Sequence, residues 1–242
     1  MLTAPQFSPA ALQSVRERIA RAAWQAERDP SSIRLLAISK QQPASRVREA
    51  YAAGQRDFGE NYVREAVAKL DELADLGDAC WHFVGQLQAN KTRDVAERFA
   101  WVHTVDRERI AARLSAQRPH HAPELQVLLQ VRLGAEPGKG GVEPDALPAL
   151  ATVVASMPRL RLRGLMCIPP PASGLDAQRA PFRELRTLME RLNANGHQFD
   201  TLSMGMSDDF PQAIAEGATL VRIGTALFGP RPRPGDPARL PA

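Results

Sequence analysis

Eight short apolar runs with strand character alternate with helical stretches along the chain. The runs cover 35–39, 56–59, 81–85, 101–105, 125–133, 160–168, 201–205 and 220–224. The stretches between them cover 43–53, 61–76, 90–99, 107–117, 144–156, 175–193 and 208–216, and one further helix, over 9–27, leads the series. Strict alternation predicts parallel strands joined by right-handed crossovers. Eight units in 242 residues is the length of a single-domain (β/α)8 TIM barrel with little to spare. An open doubly wound α/β sheet is the structural alternative, and eight units strain it. The barrel is expected over 1–229. Residues 230–242 are rich in Pro and Arg and read as an unstructured tail.

The leading helix carries Leu12, Val15, Ile19, Ala22, Ala23 and Ala26 at helical spacing. Ser8 is placed to cap it, Pro9 suits its first turn, and Asp29-Pro30 ends it. Gly54, Gly77, Gly196 and Gly217 sit where a helix C-terminus favours glycine.

Composition narrows the function classes. Apolar residues make up 44% of the chain, which excludes wholesale disorder. No apolar run approaches the ~18 residues of a membrane span, and the N-terminus has no apolar signal core. Cys80 and Cys167 are far apart, without a disulfide framework or a paired metal motif. The expectation is a reduced, cytoplasmic protein. The net charge is +4, and the basic residues are spread along helices except for a few Arg in the tail, with no basic stripe and no interleaved aromatics. Nucleic acid is therefore not an expected partner.

In a barrel of this kind, function sits at the C-terminal ends of the strands. Lys40 follows the first run directly. A lysine there points into the barrel mouth and can form a Schiff base, since desolvation lowers an amine pKa from ~10.4. A lone lysine at a loop start is the plainer alternative. Asn61 follows the second run, where it can also be a helix N-cap. The third run ends in an amide-rich loop, and His82 within it faces either inward or outward. A satisfied core histidine is a fair rival reading for His82 and His103.

The turns after the last two runs are the strongest local signal. Met206-Ser207 and Gly224-Thr225 offer small residues and backbone N–H groups at helix starts, the usual phosphate site of such barrels. Ser207 can equally be a simple N-cap. Asp208 and Asp209 beside a phosphate must point away. Arg222 lies inside an apolar strand, between Val221 and Ile223, and needs a buried partner.

Six segments together resemble the pyridoxal-phosphate homeostasis proteins, single-domain relatives of the alanine racemase barrel. They are Ala37-Ile38-Ser39-Lys40, Phe58-Gly59-Glu60-Asn61-Tyr62, residues 81–91 (Trp-His-Phe-Val-Gly-Gln-Leu-Gln-Ala-Asn-Lys), Arg163-Gly164-Leu165-Met166, residues 203–209 (Ser-Met-Gly-Met-Ser-Asp-Asp) and Val221-Arg222-Ile223-Gly224-Thr225. They run in family order over nearly the whole chain. The resemblance implies pyridoxal 5′-phosphate (PLP) as cofactor, carried on Lys40 as an internal aldimine. It implies Ser207, Gly224 and Thr225 as the phosphate site and Arg222 at the pyridine nitrogen. Asn61 would lie near the ring, with His82, Ser203 and Met206 as further contacts. Cys80 and Phe210-Pro211 depart mildly from the family pattern.

Three functions compete. The first is storage and delivery of PLP without a dedicated reaction, with apo PLP-dependent enzymes as recipients. The second is a PLP-dependent racemase or decarboxylase. Racemases of this fold take a second base, a Tyr, from a separate domain for which this chain has no room; only Tyr51 and Tyr62 exist. The third is a Schiff-base aldolase on a phosphosugar, which has no need of Arg222. An arginine at the pyridine nitrogen keeps it unprotonated and weakens the ring as an electron sink, which favours the first. A monomer or weak dimer is expected. Lys139, in the Gly-rich loop 137–141, is expected on the Lys40 face. It either contacts the phosphate or takes PLP transiently, or the loop is merely a solvated connection.

Overall fold

The computed structural model describes residues 7–134 and 140–229. The expected tail over 230–242 and Lys139 lie outside the described residues. Eight strands close into one parallel barrel in chain order. They are β1 (Arg34–Ile38), β2 (Asp57–Glu60), β3 (Cys80–Phe83), β4 (Trp101–Val105), β5 (Leu125–Gln130), β6 (Leu160–Met166), β7 (Thr201–Ser203) and β8 (Leu220–Ile223). β1 pairs with both β2 and β8, so no strand edge is left open. The (β/α)8 expectation holds, and the open sheet is excluded.

Around the barrel run α1 (Pro9–Gln25), α2 (Ala44–Ala52), α3 (Val63–Glu72), α4 (Thr92–Arg98), α5 (Glu108–Gln117), α6 (Leu147–Ala155), α7 (Leu175–Ala194) and α8 (Phe210–Ala215). A ninth helix, α9 (Thr225–Phe228), follows β8; four residues are too few to show a period in sequence. Among the described residues no helix is long and apolar enough to cross a membrane.

Alternation along each strand sorts the core. Ala37, Phe58, Phe83, Val102, Leu165, Leu202 and Val221 face outward and join the helices' apolar faces in one large core. The positions between them fill the barrel interior. Two small apolar clusters lie there: Leu36, Val84 and Leu220, and Trp101, Leu128 and Met166. The rest of the interior is polar: His82, His103, Ser203 and Arg222, all buried.

Two local expectations fail. Ser8 stands at the N-cap of α1, but its hydroxyl makes no capping bond. The Ala11 amide, the usual partner, bonds the Ser8 carbonyl instead at 2.9 Å. Gly77 is not a helix terminus, because α3 stops at Glu72 and closes over Leu73. Gly54 does end α2 at φ +87°, with its own amide bonded to Tyr51 O and that of Gln55 to Ala50 O.

The N-terminal helix is anchored to the last quarter of the barrel. Arg28, just past α1, donates to the carbonyls of Ile214 and Ala218, both at 2.8 Å. The Phe7 and Phe228 rings meet at 5.8 Å.

Candidate functional site

A cavity of about 240 Å³ opens at the C-terminal end of the barrel, with room for a single substituted ring. Its polar wall carries Lys40, Asn61, Ser207, Arg222, Gly224 and Thr225, residues from the ends of β1, β2, β7 and β8. Ile38, Val84, Ile168 and Met206 supply the apolar wall. Barrel closure thus unites seven of the nine expected site residues. His82 and Ser203 are not on the wall. Both are buried in the interior, where Ser203 touches Arg222 and His82 bonds His103 and Asp57.

Lys40 is presented by a pinned turn. The Ser39 hydroxyl donates to Glu60 Oε1 at 2.5 Å, and the Gln41 amide donates to Glu65 Oε1 at 2.5 Å. Lys69 Nζ reaches the Ser39 carbonyl at 2.8 Å, Glu60 Oε1 at 2.6 Å and Glu65 Oε1 at 2.9 Å. Gln41 adopts φ +58°, a conformation few side chains take unless the surroundings impose it. Burial pushes the Glu60 carboxyl up, and the Lys69 charge opposes that shift. Sequence reading missed this cluster. Its signal is that Glu65 and Lys69 occupy the buried face of α3 at a spacing of four, alongside Ala66, where apolar residues are expected.

Asn61 is not a helix cap, because α3 begins after Tyr62. Its Oδ1 is buried without a protein partner. Gly85 explains its placement: a Cβ there would run into the Asn61 carbonyl, so the end of β3 presses directly on the Asn61 backbone.

Arg222 is 5% exposed and finds the partners it needs. Nη1 donates to the Ser203 carbonyl at 2.6 Å and to Ser203 Oγ at 2.9 Å; Nη2 donates to the Cys167 carbonyl at 2.8 Å. Burial draws its pKa down from the usual arginine value.

After β7 and β8 on this wall, glycines let the backbone pack closely. Gly205 has φ +90°, and a Cβ there would lie 2.6 Å from Ala213 Cβ. At Gly224 a Cβ would lie 3.3 Å from the Ile38 carbonyl oxygen. Ser207 is not the cap of α8, which starts after Asp209. Asp209 turns its Oδ1 onto the Met206 amide at 2.6 Å, which takes it away from the cavity. Asp208 stays exposed on the rim. The first amides of α9 lack carbonyl partners within their own turn, so the Gly224–Thr225 step can present them to an anion.

The donor set fits PLP. An aldehyde needs an amine, and Lys40 offers one. A phosphate needs hydrogen-bond donors, and Ser207, Thr225 and the backbone beside Gly224 offer them. The bare Asn61 Oδ1 would otherwise cost about 1–3 kcal/mol, and a proton donor on a bound ring relieves that. A metal is a poorer reading elsewhere in the barrel. Asp57, Cys80 and His82 bring ligand atoms within 4.8 Å of one another, but the Arg34 guanidinium already pairs with Asp57.

Comparison with known proteins agrees with this architecture. The family described as alanine racemase, N-terminal domain, matches residues 11–232. A pyridoxal phosphate homeostasis protein of Pseudomonas aeruginosa is 57% identical over 220 residues, covering 91% of this chain and 94% of the relative. Its counterpart in Escherichia coli K12 is 50% identical over 222 residues, covering 91% and 95%. The structure of PipY from Synechococcus elongatus with PLP bound superposes with a TM-score of 0.77 at 42% identity, covering 87% of this chain and all of that one.

Proposed function

Because this chain belongs to the pyridoxal phosphate homeostasis protein family, we propose that it binds PLP in the barrel-mouth cavity and serves as a reservoir for it. Lys40 is the amine that joins the cofactor's aldehyde covalently. Ser207, Thr225 and the Gly224 backbone hold the phosphate. Arg222 faces the pyridine nitrogen, Asn61 bonds the ring from the other side, and Met206 packs near it. The recipients are apo-enzymes that use the same cofactor.

One observation carries this reading: Lys40, the phosphate loops and Arg222 share a single cavity wall. PLP bound there supplies an aldehyde and an electron-withdrawing ring. Arg222 opposes the second property, because a guanidinium donates and does not accept a proton at neutral pH. The tyrosines also favour storage over turnover. Tyr51 bonds Asp78, and Tyr62 sits at the start of α3, off the cavity wall.

The test is PLP uptake by the purified chain, followed by visible absorption. We expect saturable uptake, loss of the band in Lys40→Ala, and label on Lys40 after borohydride reduction and peptide mapping. Label confined to another lysine refutes the assignment.

A further inference from the structure

The barrel interior holds a continuous chain of hydrogen bonds ending at Arg222. Arg222 Nη1 lies 2.9 Å from Ser203 Oγ. Ser203 Oγ lies 2.9 Å from His103 Nδ1, and His103 Nε2 lies 2.9 Å from His82 Nδ1. His82 Nε2 lies 3.1 Å from Asp57 Oδ1. Asp57 is the first residue of β2, at the end of the barrel opposite the cavity, where it also pairs with Arg34. The links come from β8, β7, β4, β3 and β2. Ser203, both histidines and Arg222 are buried.

The two ends dictate the direction of every bond between them. A guanidinium only donates. Arg222 therefore uses one lone pair of Ser203 Oγ. Among the described residues the only other partner of that oxygen is His103 Nδ1, so the hydroxyl proton points there. That makes Nδ1 of His103 bare.

At the far end burial raises the Asp57 carboxyl, but the His82 hydrogen bond and the Arg34 charge outweigh it and hold the pKa below the ordinary value. Asp57 is thus an ionised acceptor, and His82 Nε2 carries a proton toward it. Burial lowers the pKa of His82, and burial together with His82 and Arg222 lowers that of His103. Each ring is then neutral and carries one proton. His82 Nδ1 is bare and accepts from His103 Nε2–H.

The two deductions, made from opposite ends, meet at the same tautomer of His103. Cys80 does not compete. Its Sγ lies 3.3 Å from His82 Nε2, but burial pushes the thiol up to about 11, so it is no rival anion. Trp101 stacks flat on His82 at 5.4 Å and restrains ring flips.

We infer that Asp57, His82, His103 and Ser203 form a one-directional hydrogen-bond relay that positions Arg222 against the cofactor ring, with both imidazoles neutral and protonated on Nε2. Reversing any link would oppose two donors or two lone pairs somewhere along it. Arg222 is therefore held by a proton order as well as by packing. Asp57, at the other end of the barrel, is a positioning residue. The direction of the relay stands on its own; its effect on the cofactor rests on the function proposed above.

The first arm uses the cofactor-free full chain, with His120, His121 and His197 replaced by Gln so that only the relay pair remains. Nitrogen-15 NMR of histidine-labelled protein reads the tautomers. We expect both rings neutral at neutral pH, with Nε2 protonated and Nδ1 bare, and an N–N coupling across the His103–His82 bond. A proton on Nδ1 of either ring, or a doubly protonated ring, overturns the relay. The second arm titrates PLP into Asp57→Asn, whose changed atom is remote from the cavity. We expect affinity to fall on the order of fivefold, the low end of coupling between separate sites, and the bound-cofactor absorption maximum to shift. Unchanged affinity and an unchanged maximum in a variant that remains folded at the assay temperature overturn the positioning role. If the unsubstituted chain takes up no PLP, the proposed function fails, while the tautomer result still decides the relay.

Discussion

Lys69 Nζ lies 2.6 Å from Glu60 Oε1 and, with the same ammonium, holds the carbonyl of Ser39, the residue before Lys40. One cation thus serves two buried carboxylates and the turn that presents the candidate cofactor lysine. Lys69→Met removes the cation and leaves Glu60 and Glu65 facing each other in the dry interior. Breaking a buried pair from one side costs about 3–5 kcal/mol. Urea unfolding of Lys69→Met is expected to show a loss of that size, with weaker PLP binding because the Lys40 turn loosens. A loss under ~1 kcal/mol would mean the cluster does not brace the turn.

Glu60 and Asp57 predict opposite pH dependences. The Glu60 carboxyl is raised, so its contribution to stability is full below the ordinary carboxylate range and is lost as pH rises through its folded value. Asp57 is lowered, so its contribution is present above that range and is lost as pH falls through its folded value. Relative to the unsubstituted chain, Glu60→Gln should therefore gain stability with rising pH. Asp57→Asn should lose least at the acid end. Stability curves of the two variants that run parallel across pH would refute both assignments.

The barrel was legible because its signal is repetition: eight runs and their helices need no knowledge of contacts to be counted. The positions of Lys40, Ser207, Gly224 and Thr225 at one rim were legible too, since each follows a strand in the order, whereas Arg222 was legible from its strand only as a buried charge needing a partner. The inward face of His82 was not, because a four-residue strand such as β3 alternates without announcing which side is the barrel. Its partners come from β2 and β4, and the chain continues to β7 and β8, so it exists only after closure. Glu65 and Lys69 share a face of α3 with Ala66, but which carboxylate and which carbonyl they meet is settled only when the helix packs on the barrel.

Gly85 gives a steric test. Its missing Cβ leaves room for the Asn61 backbone, and Thr104 Oγ1 fixes the Gly85 carbonyl at 2.6 Å. Gly85→Ala must push Asn61 away from the cavity. We expect PLP affinity to fall at least as far as in Asn61→Ala, with a stability loss of about 1–3 kcal/mol from overpacking. A variant that binds PLP normally would show that Asn61 need not hold its observed position.

The phosphate loops predict a graded response. Ser207→Ala and Thr225→Val each delete one hydroxyl, and a hydrogen bond to a charged group is worth ~1.5–3 kcal/mol. The backbone amides at Gly224–Thr225 remain, so binding should weaken in each and survive in both. Pyridoxal, which lacks the phosphate, should bind far more weakly than PLP. Equal affinities for the two would remove the phosphate from the site.

The same site predicts that the PLP-loaded protein does not racemise or transaminate amino acids at an enzymatic rate. Arg222 is held by three hydrogen bonds to Ser203 and Cys167, and in the pose proposed above it would keep a donor at the ring position where electron withdrawal needs a proton. Two-base racemisation needs a proton-transfer group on each face of the substrate carbon, and among the described residues no tyrosine lines the cavity opposite Lys40. Asp208, the carboxylate on the rim, is exposed to solvent and lies on the phosphate-loop side of the cavity. Binding of an amino acid to the loaded protein is compatible with all of this, so a spectral change on adding substrate does not bear on the question. The decisive measurement is α-proton exchange of alanine in heavy water, followed by NMR. We expect exchange far below ~1 s⁻¹, the lower end of ordinary turnover. Exchange or D-alanine formation at that rate or faster would make the protein an enzyme and displace storage as its function.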